Sequence, residues 1–86
     1  MVEAVILYTR QGCHLCENAK EILLEIQELF EFQIQEIDID SSDVLTEKYG
    51  LCIPVVEING EIIQYGNIVK SDLKMYLNEK NNRDNG

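Results

Sequence analysis

The apolar pattern changes period early in the chain, and that change limits the folds open to it. Residues 4–8, "AVILY", form a continuous apolar run, as in a strand covered on both faces. From Leu15 the apolar positions recur every three or four residues, through Ala19, Ile22, Leu23 and Ile26 to Leu29 or Phe30. Glu17, Lys20, Glu21, Glu25 and Glu28 take the places between. This spacing predicts an amphipathic helix of about four turns. A covered strand leading into such a helix begins a crossover unit, in which a second strand returns parallel to the first with a right-handed connection.

The rest of the chain fits that start. "FEFQIQEIDID" alternates as a strand does, but its phase slips between Ile34 and Ile37, so part of it is expected as loop or bulge. "SSDVLTEKYG" fits a short helix, with Ser41 or Ser42 as N-cap and Gly50 as the C-terminal stop. "VVEINGEIIQY" holds two apolar runs joined by Asn59-Gly60, the residue pair a type I′ hairpin turn favours. "NIVKSDLKMYLNEK" fits a last helix with Asn67 as its N-cap. The predicted fold class is α/β, in the order β-α-β-(α)-β-β-α, with a four-stranded mixed sheet flanked by helices. Eighty-six residues allow one core. Residues 1–79 are read as a single domain and 80–86 as a flexible C-terminal tail.

Charge and cysteine usage narrow the function. Sixteen acidic and seven basic side chains give a net charge of −9. That field repels phosphate backbones and anionic lipid heads, so neither nucleic acid nor a membrane surface is expected as a partner. No run approaches the roughly 18 apolar residues that a membrane span needs. "MVEAVILYTR" is too short in its apolar run, with Glu3 inside it, for a secretory signal, and the expected location is the cytoplasm. Three cysteines are too few for a disulfide-stapled secreted domain. In a reducing compartment a close pair points to reactivity or metal binding.

That pair, Cys13 and Cys16 in "YTRQGCHLCENAK", lies where the strand turns into the helix, the end of an α/β sheet at which ligands bind. Three features favour a Cys13 thiolate. It sits at a helix N-terminus, where unpaired N–H groups and the macrodipole stabilise an anion. Arg10 is a cation three residues earlier in the same turn. The C-x-x-C spacing lets the Cys16 thiol donate to the Cys13 sulfur. Sites of this kind bring a cysteine pKa from about 8.5 to roughly 3.5–7.5. The same spacing lets Cys16, packed under the helix, resolve a mixed disulfide formed on an exposed Cys13. The alternative is a metal-binding module, with zinc or an iron–sulfur cluster held through Cys13 and Cys16, for which Cys52 is a candidate further ligand. A structural zinc site takes four ligands, often as two such pairs, and no second pair is present. A third reading is a redox-inert domain that only binds a partner.

With the cysteine pair on a strand-turn-helix and a lone proline before a hairpin, the chain resembles the glutaredoxin-like branch of the thioredoxin superfamily over roughly residues 3 to 78. "YTRQGCHLCENAK" is similar to that family's opening, "CIPV" to its loop before the third strand, and "VVEINGEIIQYG" to its hairpin. The resemblance implies a thiol–disulfide oxidoreductase with Cys13 as nucleophile and Cys16 as resolving thiol. It implies that Pro54 is a cis-proline beside the pair, and that Ile53 offers backbone groups to an extended substrate or to glutathione. Arg10, His14 and Gly66 complete the implied substrate or glutathione site, with His14 also a candidate to stabilise the thiolate. Cys52 is a candidate third redox thiol, or else a small packing residue. No bound cofactor is implied. Glutathione is a candidate co-substrate, disulfide-containing proteins or glutathione mixed disulfides are the substrates, and a glutathione- or thioredoxin-reductase-type system is the electron donor. The chain departs from the family pattern in three places. His14-Leu15 stands between the cysteines, Asn67-Ile68 follows Gly66, and the "AVILY" strand has no acidic residue.

Overall fold

The computed structural model describes residues 4–85, with side chains described through Lys80. Its elements are β1 (Ala4–Thr9), α1 (His14–Gln27), β2 (Gln33–Asp38), a 3-10 turn (Ile39–Ser41), α2 (Asp43–Tyr49), β3 (Val55–Ile58), β4 (Glu61–Tyr65) and α3 (Lys70–Asn85). The strands form one sheet in the order β2-β1-β3-β4. β1 runs parallel to β2, from Ala4 opposite Gln33 to Thr9 opposite Asp38. It runs antiparallel to β3, which pairs antiparallel with β4. This is the mixed four-stranded sheet with helices on its faces that the apolar pattern predicts.

β1 is apolar throughout because it is covered twice. Val5 and Leu7 face α1 and α3, in a cluster with Ala19, Leu23, Ile26, Leu73 and Leu77. Ile6 and Tyr8 face the other way, toward Ile39, Tyr49 and Val55 below α2. Each fully buried Leu, Ile or Val contributes about 1.5–3 kcal/mol.

β2 resolves the phase slip differently from the expected loop or bulge. It is a continuous strand, and Ile34 and Ile37, three positions apart, point to opposite faces, one into each cluster. As an edge strand it needs only one apolar anchor per face, so its alternation breaks without a bulge. The following Ile39 lies in the 3-10 turn and is fully buried.

Ser42 caps α2, its hydroxyl accepting the Leu45 N–H at 3.4 Å. Gly50 ends that helix, but with φ −54° it does so in the right-handed region. The reason for glycine here is space, because a Cβ would lie 2.5 Å from the Thr46 carbonyl oxygen. Asn59 and Gly60 have φ of 53° and 82°, as a type I′ turn requires.

α3 begins at Lys70, not at an Asn67 cap; the Leu73 N–H donates to the Val69 carbonyl at 3.2 Å. The segment before it is held by the Gln64 side chain of β4. That amide accepts the Val69 N–H at 2.7 Å and donates to the Val69 carbonyl at 3.2 Å. A side-chain clamp from β4, five residues back in the chain, therefore holds the segment before the helix start. The backbone of the expected tail is helical as far as Asn85, while Gly86 and the side chains beyond Lys80 lie outside the described residues.

Gly50→Ala tests the close approach to Thr46. It is expected to lower stability by about 1–3 kcal/mol, as overpacking does. The reading is a lower urea midpoint with an unchanged slope.

Candidate active site

Cys13 is the N-cap of α1. Its backbone is extended, at φ −92° and ψ 108°, and its sulfur accepts the Cys16 N–H at 3.1 Å. One of the N–H groups that a helix leaves unpaired at its start is thus satisfied by sulfur. The two cysteines are joined as a disulfide, with Cα atoms 5.2 Å apart. Cys16 is buried and Cys13 half-exposed. A nucleophile from solvent therefore meets Cys13 first. When the bond opens, the same N–H and the same helix terminus face the Cys13 sulfur, where they favour its anion.

The disulfide opens onto a hollow of about 280 Å³ walled by Arg10, Gln11, Glu17, Lys20 and Glu36. Arg10 is beside the cysteines as expected, but its guanidinium is engaged elsewhere. Nε lies 3.2 Å from both Asp40 carboxylate oxygens and Nη2 3.1 Å from Oδ1. Lys20 is likewise paired, with Glu36 at 3.2 Å. His14 points into solvent, 96% exposed, with Nδ1 3.8 Å from a Glu17 oxygen.

Asp40, Glu36 and Lys20 are site residues that the sequence reading missed. A signal for Asp40 was present in the crossover. Because β1 and β2 are parallel with Thr9 opposite Asp38, whatever follows β2 emerges at the same end as whatever follows β1. "DIDSSD" thus comes up beside "RQGC". The Asp40 N–H also donates to an Asp38 oxygen at 2.9 Å, which holds the turn in place.

The Ile53–Pro54 peptide is cis. Pro54 is fully buried, and Ile53 packs half-buried against the cluster below α2. Neither residue, nor Gly66, lines the hollow at the cysteines. Gly66 instead ties down the loop. Its N–H donates to the carbonyls of both Cys52 (3.1 Å) and Pro54 (2.8 Å), at a φ of 75° that glycine adopts freely.

Cys52 is a free, half-buried thiol on a separate apolar hollow with Tyr49, Val55, Ile62 and Tyr65. Among the described residues no three His, Cys, Asp or Glu side chains converge. Cys52, the candidate further ligand of the metal reading, is therefore not brought together with Cys13 and Cys16 within one chain.

β1 has no carboxylate, but β3 brings one to its face. The Tyr8 hydroxyl donates to Glu57 at 3.4 Å, and the ring stacks at a tilt on Tyr49, with centroids 4.6 Å apart. Burial first, and then the Glu57 charge, push the Tyr8 pKa above its ordinary 10.0.

A four-stranded β2-β1-β3-β4 sheet, a cysteine pair capping the first helix and a cis-proline before β3 define the thioredoxin class of fold. Protein Ne2328 of Nitrosomonas europaea is similar over 90% of this chain and 93% of its own, at 26% identity and a TM-score of 0.78. A protein of X. campestris is similar over 87% and 96%, at 28% identity and a TM-score of 0.71. A mutant thioredoxin from Halobacterium salinarum shares the fold at a TM-score of 0.64 and 20% identity, over 88% of this chain and 72% of its own. A curated glutaredoxin-like protein of Dictyostelium discoideum is 40% identical over 62 residues, 65% of this chain. The match spans 57% of that relative, a little over half its length. The family model described as a glutaredoxin-like domain matches residues 4–78, and the chain belongs to that family. Among the described residues, no helix is long and apolar enough to cross a membrane.

The Tyr8 environment gives a pH dependence. The unfolded chain gives up the tyrosine proton at about pH 10, while the folded chain keeps it to higher pH. The contribution to stability is thus fully present below that value and is lost as pH rises through the raised folded pKa. Tyr8→Phe is expected to remove this part of the alkaline loss. Urea midpoints measured from neutral to alkaline pH on both proteins check it.

Proposed function

We propose that the protein is a thiol–disulfide oxidoreductase working through the Cys13–Cys16 couple. The observation that carries this reading is the unequal exposure of a bonded pair at a helix start. Cys13 is accessible at the N-cap and Cys16 is buried beneath it. A couple built this way has one sulfur for the substrate and one for resolution.

In the reducing direction the Cys13 thiolate attacks a substrate disulfide, forming a mixed disulfide and releasing one substrate thiolate, which takes up a proton. The Cys16 thiolate then attacks Cys13, closing the intramolecular bond and releasing the second substrate thiolate. Two electrons pass from the protein to the substrate. A thiol such as glutathione, or a reductase-type donor, returns them. The couple carries both electrons itself, and no bound cofactor is needed. Protein disulfides and glutathione mixed disulfides are the substrate classes. A low cysteine count and an exposed redox pair suit the cytoplasm, where thiol reductants are abundant.

Activity assays on cysteine variants test the proposal. Cys13→Ser is expected to reduce insulin-type disulfide reduction to the uncatalysed rate, and substantial residual turnover would sink the assignment. Cys16→Ser with a milder loss would indicate a monothiol route through glutathione. Cys52→Ser is expected to leave the rate unchanged, because its thiol lies on a different hollow.

A further inference from the structure

We propose that the carboxylates around the Cys13–Cys16 disulfide select thiols and disulfides carrying positive charge and disfavour anionic ones, with Asp40 and Glu36 as the specificity-determining residues. This inference rests on the thiol–disulfide reading above and names the substrate class of that site.

The argument starts from how the rim charges are matched. The hollow at the disulfide has two cations in its wall, Arg10 and Lys20. A site built to hold an anionic thiol would leave them free to meet its carboxylates. Here Asp40 takes the Arg10 guanidinium, through Nε to both carboxylate oxygens and Nη2 to one of them. Glu36 takes the Lys20 ammonium at 3.2 Å. Glu17, also in the wall, pairs among the described residues with His14, the chain's single histidine, at 3.8 Å. With both rim cations neutralised, Glu17 remains as excess negative charge on a chain of net −9.

The attacking species in thiol exchange is itself a thiolate. A thiolate bearing a carboxylate is doubly anionic, whereas one bearing an ammonium is neutral overall and brings its cation to Glu17. Both ion pairs are partly exposed and individually weak in stability terms. Their effect here is on encounter, where fields of this kind change association rates by about 10–10³-fold and are screened by salt.

Single-turnover reduction of the oxidised protein reads this directly. A thiolate attacks the Cys13 sulfur, the Cys13–Cys16 bond breaks, and Cys16 leaves with the electron pair and takes up a proton. A second thiolate attacks the mixed disulfide, releasing the small-molecule disulfide and a Cys13 thiolate. The probes are cysteamine, 2-mercaptoethanol and 3-mercaptopropionate, which carry an ammonium, no charge and a carboxylate respectively. Appearance of free protein thiols is followed by alkylation and intact mass at about pH 8, where an ordinary imidazole is neutral. Each rate is divided by that thiol's rate with 4,4′-dithiodipyridine, an uncharged disulfide that none of the three thiols forms, which removes differences in thiol pKa and nucleophilicity.

The expected result at low ionic strength is a normalised preference for cysteamine over 3-mercaptopropionate of at least about tenfold, with 2-mercaptoethanol between, collapsing toward unity near 1 M salt. Asp40→Asn and Glu36→Gln, which free Arg10 and Lys20, are each expected to cut the preference by about threefold or more. Equal normalised rates, or a preference that salt does not reduce, would overturn the inference and leave the redox reading standing. A salt-sensitive preference that both variants retain would overturn the roles of Asp40 and Glu36. If dithiothreitol opens the disulfide and none of the three thiols does, the inference is overturned; if dithiothreitol fails as well, the redox reading fails with it.

Discussion

Burial of β1 on both faces is the constraint from which the remaining architecture follows. Val5 and Leu7 need a layer on one side, and α1 with α3 supplies it; Ile6 and Tyr8 need one on the other, and α2 with the 3-10 turn supplies it. A strand covered twice sits inside its sheet, so it takes a neighbour on each edge, β2 in parallel and β3 in antiparallel. The parallel pairing is what matters for chemistry. It delivers the segments after β1 and after β2 to one end of the sheet, where the cysteine pair and its acidic neighbours meet.

At that end the helix does two things with one residue. Cys13 closes the α1 N-terminus as a side-chain cap and presents its sulfur to solvent, while Cys16, one turn on, faces inward with Ala19 and Leu23. Local helix geometry thus makes the two sulfurs unequal in exposure. The charges around them come from elsewhere in the chain, Asp40 from the turn after β2 and Glu36 from β2 itself. The unequal exposure of the two sulfurs is therefore a property of one helix start, whereas the charge balance around them is a property of the crossover.

Much of the fold was legible because it rests on periodicity and turn chemistry. The "AVILY" run, the stripe through Leu15, Ala19 and Leu23, and Asn59-Gly60 each state a local geometry outright. Readings that depended on partners outside the local pattern fared less well. The slip between Ile34 and Ile37 looked like a bulge because strand patterns assume one buried face, and an edge strand feeding two clusters breaks that assumption. Asn67 looked like a cap because Ser, Asp and Asn cap most helices; here the segment before α3 is held instead by the amide of Gln64, a nearby β4 side chain that capping patterns do not include. At the site, Cys13 and Cys16 were legible from spacing alone. The engagement of Arg10 by Asp40 joins residues thirty apart in sequence and needed the strand register to be seen.

The double donation from the Gly66 N–H has a bearing on local unfolding. One N–H at the end of β4 binds two carbonyls of the segment entering β3, those of Cys52 and Pro54. The loop that carries the free thiol is thereby fastened to the far strand of the hairpin as well as to its own. Exposing Cys52 fully requires that fastening to break, and the β3–β4 pairing beside it loses its end at the same moment. These two bonds tie the loop of Cys52 to the end of the hairpin, so opening one frays the other.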